Sequence, residues 1–188
     1  MADEQQGPLI RAADQYHAGI VSDDPAATMA QLSDLLGYEW GEPLGGTVTV
    51  RLPQGDATVV MRMWYSTTTP RLEVVQSHPG TVWSRADSGL HHYGYWVDDV
   101  AATIKALEAG GYTFEAAGTR PDGVPYWAYL ASPAGPRLEI VSRELQPMME
   151  RYFATGKVSL WQPWGSRPAR AGAWGTSAGG CCPGWWTM

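Results

Sequence analysis

The chain has 188 residues, a net charge of −6 and a 44% apolar fraction, which is enough for one compact domain or two small modules sharing a core. An acidic balance without any cluster of Lys and Arg excludes a nucleic-acid surface, because phosphate binding needs concentrated positive charge. No run approaches the roughly 18 apolar residues of a membrane span, and the opening MADEQQGPLIRAADQ lacks the basic-then-apolar pattern of a secretory leader. The expectation is therefore a cytoplasmic protein with no membrane or nucleic-acid partner.

The first predicted element is a strand in YHAGIVSD, which is short, apolar and partly β-branched. Asp24 stands where a helix N-cap belongs, ahead of AATMAQLSDLLG, where Met29, Leu32, Leu35 and Leu36 share a face and Gly37 ends the helix. Three strands follow in GTVTVRL, ATVVMRMWYSTT and RLEVVQS. The turn-rich segment SHPGTVWSRADSG then reads as a linker.

The order repeats after the linker. HHYGYWVDD is a strand, Asp99 is an N-cap, VAATIKALEAGG is a helix carrying Ile104 and Leu107 on one face, and YTFEAAG, PYWAYLAS and RLEIVSR are strands. Tyr16–Leu32 aligns without a gap on His91–Leu107, matching His17 with His92, Gly19 with Gly94, Asp24 with Asp99 and Leu32 with Leu107. Downstream, RLEVV from Arg71 matches RLEIV from Arg137. The fold class is thus α+β, with two tandem βαβββ modules at residues 14–78 and 88–144. Residues 145–188 form a C-terminal helix (ELQPMMERYFATG) followed by a low-complexity tail rich in Trp. The two cysteines, Cys181 and Cys182, are adjacent in that tail and form no disulfide framework.

The repeat carries a chemical consequence. A lone strand histidine or glutamate is ordinarily structural, but here the same types recur at matching places. If the halves pair about a pseudo-twofold axis, His17, Glu73, His92 and Glu139 converge on one point. Two imidazoles and two carboxylates suit Zn, Ni, Co, Mn or Fe and leave coordination positions for water or substrate. Strand alternation puts Glu73 and Glu139 on the more polar face of their strands.

At this level the chain resembles the vicinal oxygen chelate superfamily, which includes glyoxalase I, methylmalonyl-CoA epimerase, extradiol dioxygenases and the fosfomycin and bleomycin resistance proteins. SGLHHYGYWVDDVAATIKALEAGGY resembles the opening of the second module, YHAGIVSDD that of the first, and RLEVV and RLEIV the closing strands; the resemblance spans roughly residues 14–144. It implies a cup-shaped sheet around one divalent metal ion, with His17, Glu73, His92 and Glu139 as ligands. His92 is preferred over its neighbour His91. It also implies a homodimer.

The reaction logic is that a metal polarises a substrate carbonyl and acidifies the neighbouring proton, which a carboxylate removes. Glu139 is the first choice for that base and Glu73 the second. The middle strands of the first half, TVTVRL and VVMRMWYS, lack the extra Glu of epimerase-like members, which argues against the methylmalonyl-CoA reaction. Arg62, Trp64, Tyr65, Tyr93, Trp96, Tyr126 and Tyr129 are candidate pocket residues, with Trp96 on the same strand face as His92. Aromatic walls and the scarcity of basic residues point to a small apolar or aromatic substrate. The leading expectation is a lyase, isomerase or epimerase. A non-catalytic binding or sequestration protein is the alternative, and an Fe(II) dioxygenase is third.

Overall fold

A computed structural model describes residues 8–158. The expected Trp-rich tail, with Cys181 and Cys182, lies outside the described residues from 159 onwards. Each half has the order β-α-β-β-β. The first comprises β1 (Gln15–Ser22), α1 (Pro25–Leu36), β2 (Leu44–Leu52), β3 (Gly55–Tyr65) and β4 (Leu72–Gln76). The second comprises β5 (His92–Val97), α2 (Val100–Ala109), β6 (Thr113–Thr119), β7 (Pro125–Ala131) and β8 (Leu138–Ser142). A single 3-10 turn then leads into α3 (Gln146–Thr155).

The helices begin where their caps dictate. Asp24 Oδ1 accepts from the Ala27 amide at 3.0 Å, and Asp99 Oδ1 accepts from the Ala102 amide at 2.9 Å. Each bond satisfies a backbone donor that the first helical turn cannot. Gly37 ends α1 in the left-handed region, at φ 73°.

The eight strands form one closed barrel in the order β1-β4-β3-β2-β6-β7-β8-β5. The two halves have the same internal order and meet at two seams. β1 and β5 run antiparallel, with His17 opposite Gly94 and Gly19 opposite His92. The second seam, Val50 with Gly118 and Arg51 with Ala117, closes the sheet. The closed, curved sheet is consistent with the expected cup shape.

Among the described residues, three clusters make up the core. Val100 and Leu107 of α2 pack on Ala128, Leu130, Leu138 and Ile140, on the outer face of the second half. Val50, Met61, Val75, Ala116 and Tyr129 meet inside the barrel. Met149, Tyr152 and Phe153 of α3 cover Tyr65, Trp96 and Val141. Two expectations change. The linker is not merely a connection: Trp83 is fully buried in the interior cluster with Met61 and Tyr129. In α1, Leu35 and Leu36 stay exposed although Met29 and Leu32 on the same helix are half-buried, because α1 rests mainly on β4 and β1.

Candidate metal centre

Two cross-strand rows build the site. Across β3, β4, β1 and β5, Tyr65 lies opposite Glu73, Glu73 opposite Gly19, and Gly19 opposite His92. Across β7, β8, β5 and β1, Tyr129 lies opposite Glu139, Glu139 opposite Gly94, and Gly94 opposite His17. Residues directly opposite on neighbouring strands share a face of the sheet. The duplicated order Tyr, Glu, Gly, His therefore delivers each half's carboxylate beside the other half's imidazole, inside the barrel.

The four side chains converge. His17 Nε2 and His92 Nε2 are 2.9 Å apart. Glu73 Oε2 stands 3.1 Å from His92 Nε2 and 3.5 Å from His17 Nε2. Glu139 Oε2 stands 3.2 Å from His17 Nε2 and 3.7 Å from His92 Nε2. All four ligand atoms lie within 4.8 Å of one another. Ligands about 2.0–2.1 Å from an ion stand roughly 3 Å apart when adjacent and 4 Å when opposite, so these separations fit a single cation. The donor chemistry fits as well: Glu73 Oε2 and Glu139 Oε2 are buried without a hydrogen-bond partner. Two carboxylate oxygens left so would be costly unless a cation compensates them. The cluster can hold a metal ion.

The electrostatics follow from this crowding. For His17, burial disfavours the imidazolium, but Glu139 and Glu73 outweigh it and hold its pKa up at about 9. For Glu73, burial opposes the charge, yet His17 and His92 bring its pKa well below the usual carboxylate range. Burial, reinforced by the carboxylates, raises the pKa of Tyr16, Tyr65 and Tyr129 far above 10, so these phenols stay protonated. His91 is lowered to about 4 by burial and then by the neighbouring His92 charge.

A cavity of about 650 Å³ opens onto the cluster. Glu73, Glu139, Tyr16, Tyr65 and Tyr129 line its inner end, and Met61, Met63, Met148, Met149, Tyr126 and Trp127 line its walls. His17 and His92 are not among the lining residues. Of the expected pocket residues, Tyr65, Tyr126 and Tyr129 line the cavity. Arg62 and Trp64 do not: they occupy the alternate positions of β3, where the Arg62 guanidinium lies 5.1 Å from the centroid of the Trp64 ring. Met61, Met63 and Tyr65 take the inward positions of that strand. Trp96 is buried against Tyr16, with ring centroids 3.9 Å apart, and does not line the cavity. Tyr93, out of phase with His92 on β5, is also outside the lining. The methionines and Tyr16 escaped the sequence reading; the two methionines of β3 share the inward parity of Tyr65, which is the signal that could have found them.

A family model for the glyoxalase/bleomycin resistance protein/dioxygenase superfamily matches residues 16–127, more than half of the chain. No curated protein matches it. Among solved structures, a Streptomyces coelicolor methylmalonyl-CoA epimerase in complex with 2-nitronate-propionyl-CoA is 18% identical, covering 69% of this chain and 96% of its own, with a TM-score of 0.46. Methylmalonyl-CoA epimerase from Mycobacterium tuberculosis is 14% identical, covering 76% and 95%, with a TM-score of 0.46. The 2,2',3-trihydroxybiphenyl 1,2-dioxygenase of Sphingomonas wittichii strain RW1 is 15% identical, covering 68% and 41%, with a TM-score of 0.41.

Proposed function

The chain belongs to the glyoxalase/bleomycin resistance protein/dioxygenase superfamily, and on that premise we propose that it is a divalent-metal enzyme that moves a proton next to a carbonyl of a small apolar or aromatic substrate, as a lyase, isomerase or epimerase. The observation that carries this reading is the way the cavity meets the cluster. Glu73 and Glu139 line the cavity, whereas the two imidazoles do not. A ligand in the cavity therefore meets two carboxylates first.

His17, Glu73, His92 and Glu139 hold the ion, which is one of Zn, Ni, Co, Mn or Fe. When bound, it polarises a carbonyl oxygen and makes the adjacent C–H more acidic. Glu139 is the base. Its side chain is 9% exposed and that of Glu73 only 1%, which leaves Glu139 more room to reach a substrate proton. The protonated Tyr65 and Tyr129, each cross-strand from one carboxylate, offer hydrogen-bond donors beside them. Met61, Met63, Met148, Met149, Tyr126 and Trp127 suit an apolar or flat body. Among the lining residues Arg120 is the only basic one, and it pairs with Glu144. That supports a substrate without a polyphosphate tail.

The test has two stages. Protein purified without added metal is analysed for bound metal, beside His17→Ala and His92→Ala. About one equivalent in the wild type, lost in both variants with the circular dichroism unchanged, supports the centre. Wild-type protein and Glu139→Gln are then assayed by proton NMR for solvent deuterium exchange into aryl ketones and 2-oxo compounds. The expected loss in Glu139→Gln is about 10²- to 10⁴-fold. No metal uptake from Zn, Ni, Co, Mn or Fe overturns the enzyme reading and leaves a ligand-binding cavity.

A further inference from the structure

His91 precedes the ligand His92 and is 4% exposed. Its Nε2 lies 2.7 Å from the carbonyl oxygen of Val82. A carbonyl can only accept, so His91 Nε2 carries a proton and donates it. A neutral ring has one N–H, so a His92 whose Nε2 is a metal ligand carries its proton on Nδ1. His91 Nδ1 stands 2.9 Å from His92 Nδ1 and is therefore the acceptor to which the Nδ1–H of His92 donates. With its proton on Nδ1, His92 presents a bare Nε2 lone pair to the cluster.

We propose that His91 is a positioning residue, which takes the Nδ1–H hydrogen bond of His92 and so fixes the tautomer and ring orientation that make His92 Nε2 a metal ligand. This assignment rests on the metal-centre reading above. The chain of contacts begins in the linker: Val82 is held beside Trp83, which is anchored in the barrel interior. A second partner of this kind is a general means of orienting ligand histidines.

The first half has no counterpart. The position equivalent to His91 is Tyr16, which stacks on Trp96, and His17 Nδ1 is buried without a hydrogen-bond partner. The two ligand histidines are therefore unequal: the Nδ1 of His92 has a hydrogen-bond partner, and that of His17 has none. The repeat supplies two imidazoles, but only one is held from behind by a second ring.

The test uses the full chain and Co(II) as the probe. The wild type, His91→Phe and His91→Gln are titrated with Co(II) while the visible spectrum is recorded. His91→Phe removes the acceptor at similar volume, and the expected result is a roughly 10- to 100-fold weaker Co(II) affinity with an altered spectrum. The Gln amide can both accept from His92 and donate to Val82, so His91→Gln is expected to restore most of the affinity and the wild-type spectrum. In Zn(II)-loaded wild-type protein, imidazole nitrogen NMR is expected to show the proton of His91 on Nε2 and that of His92 on Nδ1. Wild-type uptake with an unchanged affinity and spectrum in His91→Phe overturns this assignment alone, as does a His92 whose only proton is on Nε2. No Co(II) uptake by the wild type overturns the metal-centre reading and this assignment together.

Discussion

The ring of His17 occupies the space that a side chain at Gly94 would need: a Cβ built there would fall 1.9 Å from His17 Cε1. The relation is reciprocal, because a Cβ at Gly19 would fall 1.9 Å from His92 Cε1. Each half thus supplies one imidazole and the gap that admits the other half's imidazole. Gly94→Ala is expected to push His17 out of the cluster and weaken Co(II) binding at least tenfold. The overpacking would lower stability by about 1–3 kcal/mol. Metal titration with a thermal melt checks both, and Gly19→Ala should act in the same way on His92.

Metal uptake should release a proton at neutral pH. In the metal-free protein His17 is held protonated up to about 9 by Glu139 and Glu73 against the opposing effect of burial, and an ion needs the neutral ring. The apparent affinity should rise with pH, by about tenfold per unit while His17 is the competing group, and level off above its pKa. Calorimetry in buffers of different ionisation enthalpy counts the proton.

The same group sets a pH dependence of folding without metal. The pKa of His17 is raised in the folded state above its ordinary 6.5, so its contribution to stability is complete below 6.5 and is lost as the pH rises through about 9. Glu73 acts oppositely: its pKa is lowered, so its contribution is present above the ordinary carboxylate range and is lost on acidification through its folded value. The Tm of metal-free protein should fall between pH 6.5 and 9. With saturating metal that slope should flatten.

Trp83 should behave as a core residue despite lying between the halves. It is fully buried, with edge contacts to Trp127 and Tyr129 at centroid distances of 6.0 and 6.1 Å. Trp83→Ala is expected to cost about 3–5 kcal/mol, read by denaturant unfolding. Loosening Val82 with it should also weaken metal binding.

The two faces of β3 should separate cleanly. Met63→Ala enlarges the cavity wall and should alter the binding of aryl ketones without changing Co(II) affinity. Arg62→Ala and Trp64→Ala, out of phase with Met63, should leave both unchanged. Ligand titration of the Co(II)-loaded protein, followed by its visible spectrum, checks all three.

Much of this protein is legible in the order of its residues. The gapless match of Tyr16–Leu32 on His91–Leu107 marks the duplication, the two aspartates mark the helix starts, and alternation in RLEVV and RLEIV puts Glu73 and Glu139 on one face. Those signals are local: a capping oxygen acts within three residues, and a strand has a period of two. The tertiary structure decided the rest. Arg62, Trp64, Met61, Met63 and Tyr65 all alternate acceptably on β3, and only the pairing of Tyr65 with Glu73 selects which set faces the cavity. Trp83 and Val82 gain their roles because the linker folds back into the barrel, and His91 gains a partner only when Val82 arrives beside it. The cause is common to all of these. A residue's period and propensity are set by its neighbours in sequence, whereas the face it presents and the atom it bonds are set by segments that meet only when the two halves close on each other.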